Sequence, residues 1–199
     1  MNRWTACFPN GHGYRYPTQL NHLTVPTPHE KECSMKFSNH LVQTTVNSPL
    51  GPLLLAASET HLAGLWFAQQ RHLPDSTHWQ QAPTHPLLKE AGAQLDAYWQ
   101  GQRRSFDLPL DLSVGTAFQQ SVWRALLAIP FGATTSYGAL SAVLGKPAAV
   151  RAVGGAVGRN PLGIIVPCHR VIGASGSLTG YAGGLDRKIA LLQLEGIAF

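Results

Sequence analysis

The sequence predicts an α+β fold in two regions, a small strand-bearing unit followed by a mostly helical one. Two observations carry this. Three short apolar runs separated by turn residues precede a single stretch with helical spacing. From Thr116 onward, apolar residues recur at helical spacing in segments closed by glycine or proline. With 199 residues, 44% of them hydrophobic, the chain can build one domain or two small ones around a real core.

Residues 1–34 scatter Gly, Pro, Asn and His without a period and read as an irregular extension. Regular patterning begins just after Met35, so either Met1 or Met35 could open the working protein. "HLVQTTV" (40–46), "GPLLLAAS" (51–58) and "LAGLWFA" (62–68) read as short strands, with "NSPLG" (47–51) turning between the first two. "HPLLKEAGAQLDAYWQG" (85–101) sets Leu87, Leu88, Ala91, Leu95 and Tyr98 at helical spacing and stops at Gly101. "FDLPLDLSVG" (106–115) is the expected linker, which gives an extension over 1–34, a first domain over 35–113 and a second over 114–199.

In the second region, "TAFQQSVWRALLAI" (116–129) opens with Thr116 as an N-cap and carries Phe118, Val122, Leu126 and Ile129 on one side. "SYGALSAVLG" (136–145) is a short helix closed by Gly145. "PAAVRAVGGAVGRN" (147–160) starts another, with Pro147 suited to a first turn. Two short helices joined by a Gly-Lys-Pro turn resemble a helix-turn-helix, and equally an ordinary helical hairpin. The second of them is nearly all small residues, and a mid-helix glycine costs about 1 kcal/mol. Close approach, to a neighbouring helix or to a DNA groove, is the reason to accept that cost. Arg151 is the long side chain near its start.

Composition excludes several classes. No run of about 18 apolar residues is present, so a membrane span is not expected. Residues 1–34 lack the apolar stretch of a secretory signal, which points to the cytoplasm. Cys7, Cys33 and Cys168 do not make a disulfide framework. The net charge of +5 lies wholly in the second region: eight Lys/Arg balance eight Asp/Glu up to Ser113, whereas seven face only Asp186 and Glu195 beyond it. A basic half suits either a polyanionic partner or a solvated surface.

The sharpest local signal is "IVPCHRVIG" (165–173), in which an apolar run, "PLGIIV", reads as a short buried strand leading into Cys168. A thiolate is the reactive form of cysteine, and nearby positive charge favours it. On an extended segment His169 and Arg170 point to opposite faces, so both cannot touch the sulfur. His169 could act through a bridging water, with an acid behind it. Glu195 is a candidate, because a carboxylate at a helix C-terminus is unfavourable without a partner. A buried structural cysteine beside a surface His and Arg is the alternative.

"VPCHRVIG" resembles the active-site signature of the O6-alkylguanine-DNA alkyltransferases. "FQQSVWRALLAIPFGATTSYGALS", "RAVGGAVGRNPLGIIVPCHRVI" and "GYAGGLDRKIALLQLEG" resemble the same family in the same order. The resemblance is strong over 116–197, weaker over 40–113 and absent from 1–34. It implies a ribonuclease-H-like first domain and a winged-helix-like, helix-turn-helix second domain. The implied partner is double-stranded DNA bearing O6-alkylguanine or O4-alkylthymine, met by a monomer without membrane or cofactor. Cys168 would take the alkyl group once and keep it. His169 would be its base through a water, and Glu195 would orient His169. Tyr137 would donate to the leaving base, and Asn160 would hold the turn before the cysteine. Arg151 would enter the duplex where the target nucleotide is flipped out. Ala149, Ala152, Gly154 and Tyr137 would face the DNA, and Val171, Tyr181, Ala182 and Gly183 would line the base pocket. Some relatives carry a serine where Ala182 stands, so a hydroxyl donor to O6 is missing here. Others carry a zinc-ligand cysteine where Ser58 stands, so no metal is expected.

Three other readings compete. A damage-sensing regulator would need a four-cysteine zinc module, and residues 1–34 hold only Cys7 and Cys33. A lesion-binding protein without a nucleophile is opposed by Cys168. A cysteine hydrolase leaves the glycine-rich helix and the one-sided charge unexplained.

Overall fold

A computed structural model describes residues 35–198. The extension expected at 1–34, with Cys7 and Cys33, lies outside the described residues.

The first half is a four-stranded sheet with one helix on it. Strands β1 (Val42–Val46), β2 (Leu53–Ala57) and β3 (Leu62–Phe67) form an antiparallel meander. A two-residue strand, β4 (Gln80–Gln81), joins β1 in parallel, giving the order β3-β2-β1-β4. The sequence offers no alternation that would reveal β4. The β1–β2 turn places Gly51 at φ +106, a backbone region that favours glycine.

Period-two alternation splits β2 between two clusters. Leu53, Leu55 and Ala57 face the main core, where helix α1 (Pro86–Trp99) buries Leu88, Ala91, Leu95 and Tyr98. Leu54 and Ala56 face the other side, where Phe37, Trp66 and Trp79 pack with ring centroids 5.3 to 6.0 Å apart. β3 is therefore buried along its whole length.

The expected linker is held more firmly than its composition suggests. Leu62 donates its N–H to Pro109 and accepts from Asp111 N–H, both at 2.8 Å, so Leu110 pairs with the outer edge of β3. Farther along the same edge, Leu65 exchanges backbone bonds with Pro161 and Gly163 at 2.9 and 3.0 Å.

The second half is helical. Helix α2 (Ala117–Leu127) opens on a complete capping box: Thr116 Oγ1 accepts from Gln119 N–H, and the Gln119 side chain accepts from Thr116 N–H. Two-residue strands β5 (Thr135–Ser136) and β6 (Val171–Ile172) pair in parallel. Helix α3 (Tyr137–Val143) starts directly after β5 and is capped by Ser136. A 3₁₀ turn over Pro147–Ala149 precedes α4 (Val150–Gly158), so the α-helix begins three residues later than Pro147 suggested. Helix α5 (Leu185–Leu194) ends with Glu195 as its C-cap. One hydrophobic core runs through both halves, from Leu53 and Tyr98 to Trp123, Leu162 and Val166. Among the described residues no helix is long and apolar enough to cross a membrane.

Candidate active site

The segment before Cys168 is not a strand. Residues 161–166 form tight turns with a single bridge to β3, and Ile164 takes φ +68. The apolar run is buried, as its composition suggests, but its backbone is spent on turns held by Asn160. Asn160 Oδ1 accepts from Leu162 N–H at 3.0 Å, and its Nδ2 donates to Val166 O at 2.7 Å and to Cys168 Sγ at 3.1 Å.

Cys168–Arg170 is itself a 3₁₀ turn rather than an extended stretch. This changes what the neighbours of the cysteine do. His169 and Arg170 both turn to Glu195. His169 Nε2 lies 3.0 Å from Oε1, and Arg170 reaches both carboxylate oxygens, Nε to Oε2 and Nη2 to Oε1, at 2.8 Å each. Arg170 Nη1 also donates to Ile129 O at 2.6 Å, and Gly132 N–H donates to Oε2 at 3.3 Å. A fifth donor comes from the first half: Tyr98 OH donates to Oε1 at 2.9 Å.

These contacts assign protons. Burial raises the Glu195 carboxyl, but hydrogen bonds and charge from His169 and Arg170 outweigh it and hold the group at about 2. An ionised carboxylate can only accept, so His169 Nε2 carries the hydrogen. Burial holds the imidazole below its ordinary range, with Glu195 opposing and Arg170 and Lys188 adding to the effect. His169 is thus neutral and its Nδ1 is a bare lone pair. That atom is buried and has no hydrogen-bond partner.

The expectation that basic neighbours lower the Cys168 thiol does not hold for the resting protein. Burial pushes the thiol up, and the Asn160 bond and the Lys188 charge recover only part of the shift. Activation therefore calls for a base that removes the proton.

The surrounding wall is stapled to both halves. Lys188 is fully buried and donates to Val171 O at 2.6 Å and Thr179 O at 2.8 Å; burial lowers it to about 8. Tyr137, half-buried at the start of α3, directs its hydroxyl toward Thr179 O and Gly180 O at 3.5 and 3.4 Å. Burial, and next the charge of Cys168, raise the Tyr181 phenol well above its ordinary value. Ala182 O accepts from Arg71 N–H at 3.0 Å, and Gly183 O accepts from Arg187 at 2.9 Å. Arg187 also donates to Leu50 O and stacks over Phe67 at 4.6 Å. A Cβ on Gly183 would lie 2.7 Å from the Tyr181 ring and 3.1 Å from Phe67, so glycine is required there.

The small residues of α4 divide between two sides. Ala152 and Arg151 are exposed and Ala149 is half-buried. Ala156 instead packs inward and accepts from Trp123 Nε1 at 2.8 Å, while Gly154 faces the Tyr137 ring. Of the two reasons offered for the small residues, close approach to a neighbouring helix thus accounts for part of the run.

The structure brings together Cys168, His169, Glu195, Asn160, Val171 and Tyr181, with Tyr137 and the 180–184 wall beside them. Arg151 and Ala152 lie exposed on the first turn of α4, with Ala149 in the 3₁₀ turn just before it. Arg170, Lys188, Arg187 and Tyr98 were missed. Tyr98 carried a usable signal, because a phenol on the apolar stripe of a helix needs a buried partner.

Comparison with known proteins gives a consistent picture. Residues 117–197 match the DNA binding domain of 6-O-methylguanine DNA methyltransferase, and residues 41–112 match its ribonuclease-like domain. A methylated-DNA–protein-cysteine methyltransferase of Mycobacterium tuberculosis is 54% identical over 151 residues, 76% of this chain and 90% of that protein. One from Methanosarcina acetivorans is 51% identical over 152 residues, 75% of this chain and 94% of its own length. The crystal structure of M. tuberculosis OGT in complex with DNA superposes with a TM-score of 0.71 at 53% identity, covering 76% of this chain and 90% of that one.

Proposed function

Since the chain belongs to the 6-O-methylguanine DNA methyltransferase family, we propose that it repairs alkylated DNA by moving the alkyl group from guanine O6 to its own Cys168. The observation that carries this is the arrangement behind the sulfur: an Asn160 donor at 3.1 Å and a neutral His169 backed by an ionised Glu195.

In this reading His169 Nδ1 takes the thiol proton through a bridging water, and Glu195 stabilises the imidazolium. The thiolate attacks the alkyl carbon in line with the O6–carbon bond; the C–S bond forms as the C–O bond breaks. Tyr137 donates to the base, so charge developing on the leaving guanine is quenched. Summed over the step, the thiol proton ends on the guanine and the alkyl group on sulfur. The relay moves a proton and does not cleave the C–S bond it has helped to form, so each molecule acts once.

The target atom lies inside the stack, which requires a flipped nucleotide. Arg151 fills the gap from the exposed start of α4, with Ala149, Ala152 and Gly154 allowing close approach. Val171, Tyr181, Ala182 and Gly183 receive the base, and O4-alkylthymine is a second substrate of the same pocket. The protein acts in the cytoplasm as a monomer, since one chain supplies the whole relay. Intact mass spectrometry after mixing with a duplex carrying O6-methylguanine tests the reading. One methyl group should appear on the peptide containing Cys168 and not on Cys168→Ala. Binding without a mass gain would instead indicate a lesion-recognition protein.

A further inference from the structure

Tyr98 belongs to none of the segments that carry the chemistry. It sits on α1, in the ribonuclease-like half, 97 residues before Glu195. Its ring is 1% exposed and is seated among Trp99, Phe106 and Phe131, with centroids 5.2, 5.4 and 6.2 Å away. From that seat the hydroxyl donates to Glu195 Oε1, the same oxygen that accepts from His169 Nε2 and Arg170 Nη2. We propose that Tyr98 is a positioning residue for the proton transfer, setting through Glu195 how strongly His169 holds a proton. The role rests on the reading of His169 as the base.

The physical reason is competition for one carboxylate oxygen. Every donor on Oε1 withdraws part of the negative charge that would otherwise steady the imidazolium. The charged groups acting on His169 are Glu195, Arg170 and Lys188. From α1 the contribution to Glu195 is the Tyr98 hydroxyl, and from the turn after α2 it is Gly132 N–H. Burial, with the Glu195 charge adding to it, keeps Tyr98 protonated far above neutral pH, so it donates throughout the working range. Removing the hydroxyl leaves Oε1 with two donors, both in the Cys168–Arg170 turn. Glu195 then pulls harder on the His169 hydrogen, and His169 becomes a stronger base. Protonation moves to higher pH, and so does the acid side of the rate profile, because protonated His169 cannot accept the thiol proton.

The test compares the full chain with Y98F, which keeps the ring and its contacts. The ring nitrogens of the histidines are 15N-labelled, and the His169 signals are identified by their loss in His169→Gln. In Y98F the His169 Nε2–H proton moves downfield, and the titration midpoint rises by on the order of half a pH unit or more. In single-turnover methyl transfer at saturating O6-methylguanine duplex, the acid limb moves the same way. Site-specific 3-fluorotyrosine at position 98, a stronger donor, moves both readouts in the opposite direction and serves if Y98F is too unstable to titrate. A proton shift and midpoint that stay fixed in the soluble variant, while only the melting temperature falls, would reduce Tyr98 to a packing role and overturn the proposal. The NMR arm needs no DNA. A wild-type chain that fails to transfer methyl therefore overturns the proposed function and leaves the titration to judge Tyr98.

Discussion

Asn160 shows how much one side chain can hold. Its amide fixes the turn through Leu162 and Val166 and supplies the hydrogen bond to Cys168 Sγ. A hydrogen bond to a charged group contributes about 1.5–3 kcal/mol. Asn160→Ala should therefore slow methyl transfer by about 10- to 100-fold in a rapid-quench assay, with a further loss wherever the turn relaxes. Glu195 makes a prediction about stability. Its folded pKa of about 2 lies below the ordinary value of 4.5, so it stabilises the fold fully above pH 4.5. That contribution drains away as pH falls from 4.5 toward 2, because the unfolded chain binds the proton first. Urea unfolding across this window should show the slope in the wild type and a shallower one in Glu195→Gln. The variant should also lose about 3 kcal/mol or more at neutral pH, since Arg170 is left buried without its partner.

At the scale of elements, the stapled wall over residues 180–184 links pocket shape to the first half. Arg187 joins Gly183, Leu50 and the Phe67 ring. Arg187→Ala should leave the fold intact and slow transfer several-fold, with faster amide exchange confined to residues 180–184; unchanged exchange there would remove the wall from the account. Elements with strong local signals were legible in the sequence. The Thr116 cap of α2 and the helical spacing of Leu88, Ala91, Leu95 and Tyr98 in α1 each follow from side chains within a few residues. What escaped depends on distant partners. β4 exists because Gln80 and Gln81 meet β1, and the turns at 161–166 replace a plausible strand because Asn160 claims their backbone groups. The Cys-His-Glu set was legible because the motif and the helix-end carboxylate each raise a local question. Arg170, Lys188 and Arg187 were not, since nothing near a basic residue in sequence says that it will be buried.

At the scale of the whole molecule, the one-sided charge needs recounting. Of the seven basic residues after Ser113, Arg170 and Lys188 are buried and Arg159 and Arg187 are half-buried, which leaves Arg124, Lys146 and Arg151 exposed. The share of this region in the salt dependence of duplex binding should thus reflect about three phosphate neutralisations, not seven. Arg151→Ala should weaken repair in duplex DNA more than reaction with the free alkylated base; equal losses would remove its role in the gap. The family match spans residues 41–112 and 117–197, so a chain beginning at Met35 should transfer methyl at the full rate in the same mass assay. The backbone bonds that tie Leu62 and Leu65 to Pro109, Asp111, Pro161 and Gly163 have one more effect. An open strand edge is a template on which other chains can grow. Here the outer border of β3 is tied at Leu62 and Leu65 to the chain's own loops, and on the opposite border β4 covers the first two residues of β1. Among the described residues the β3 border therefore has little free backbone on which a second chain could zip, which limits self-association through that side of the sheet.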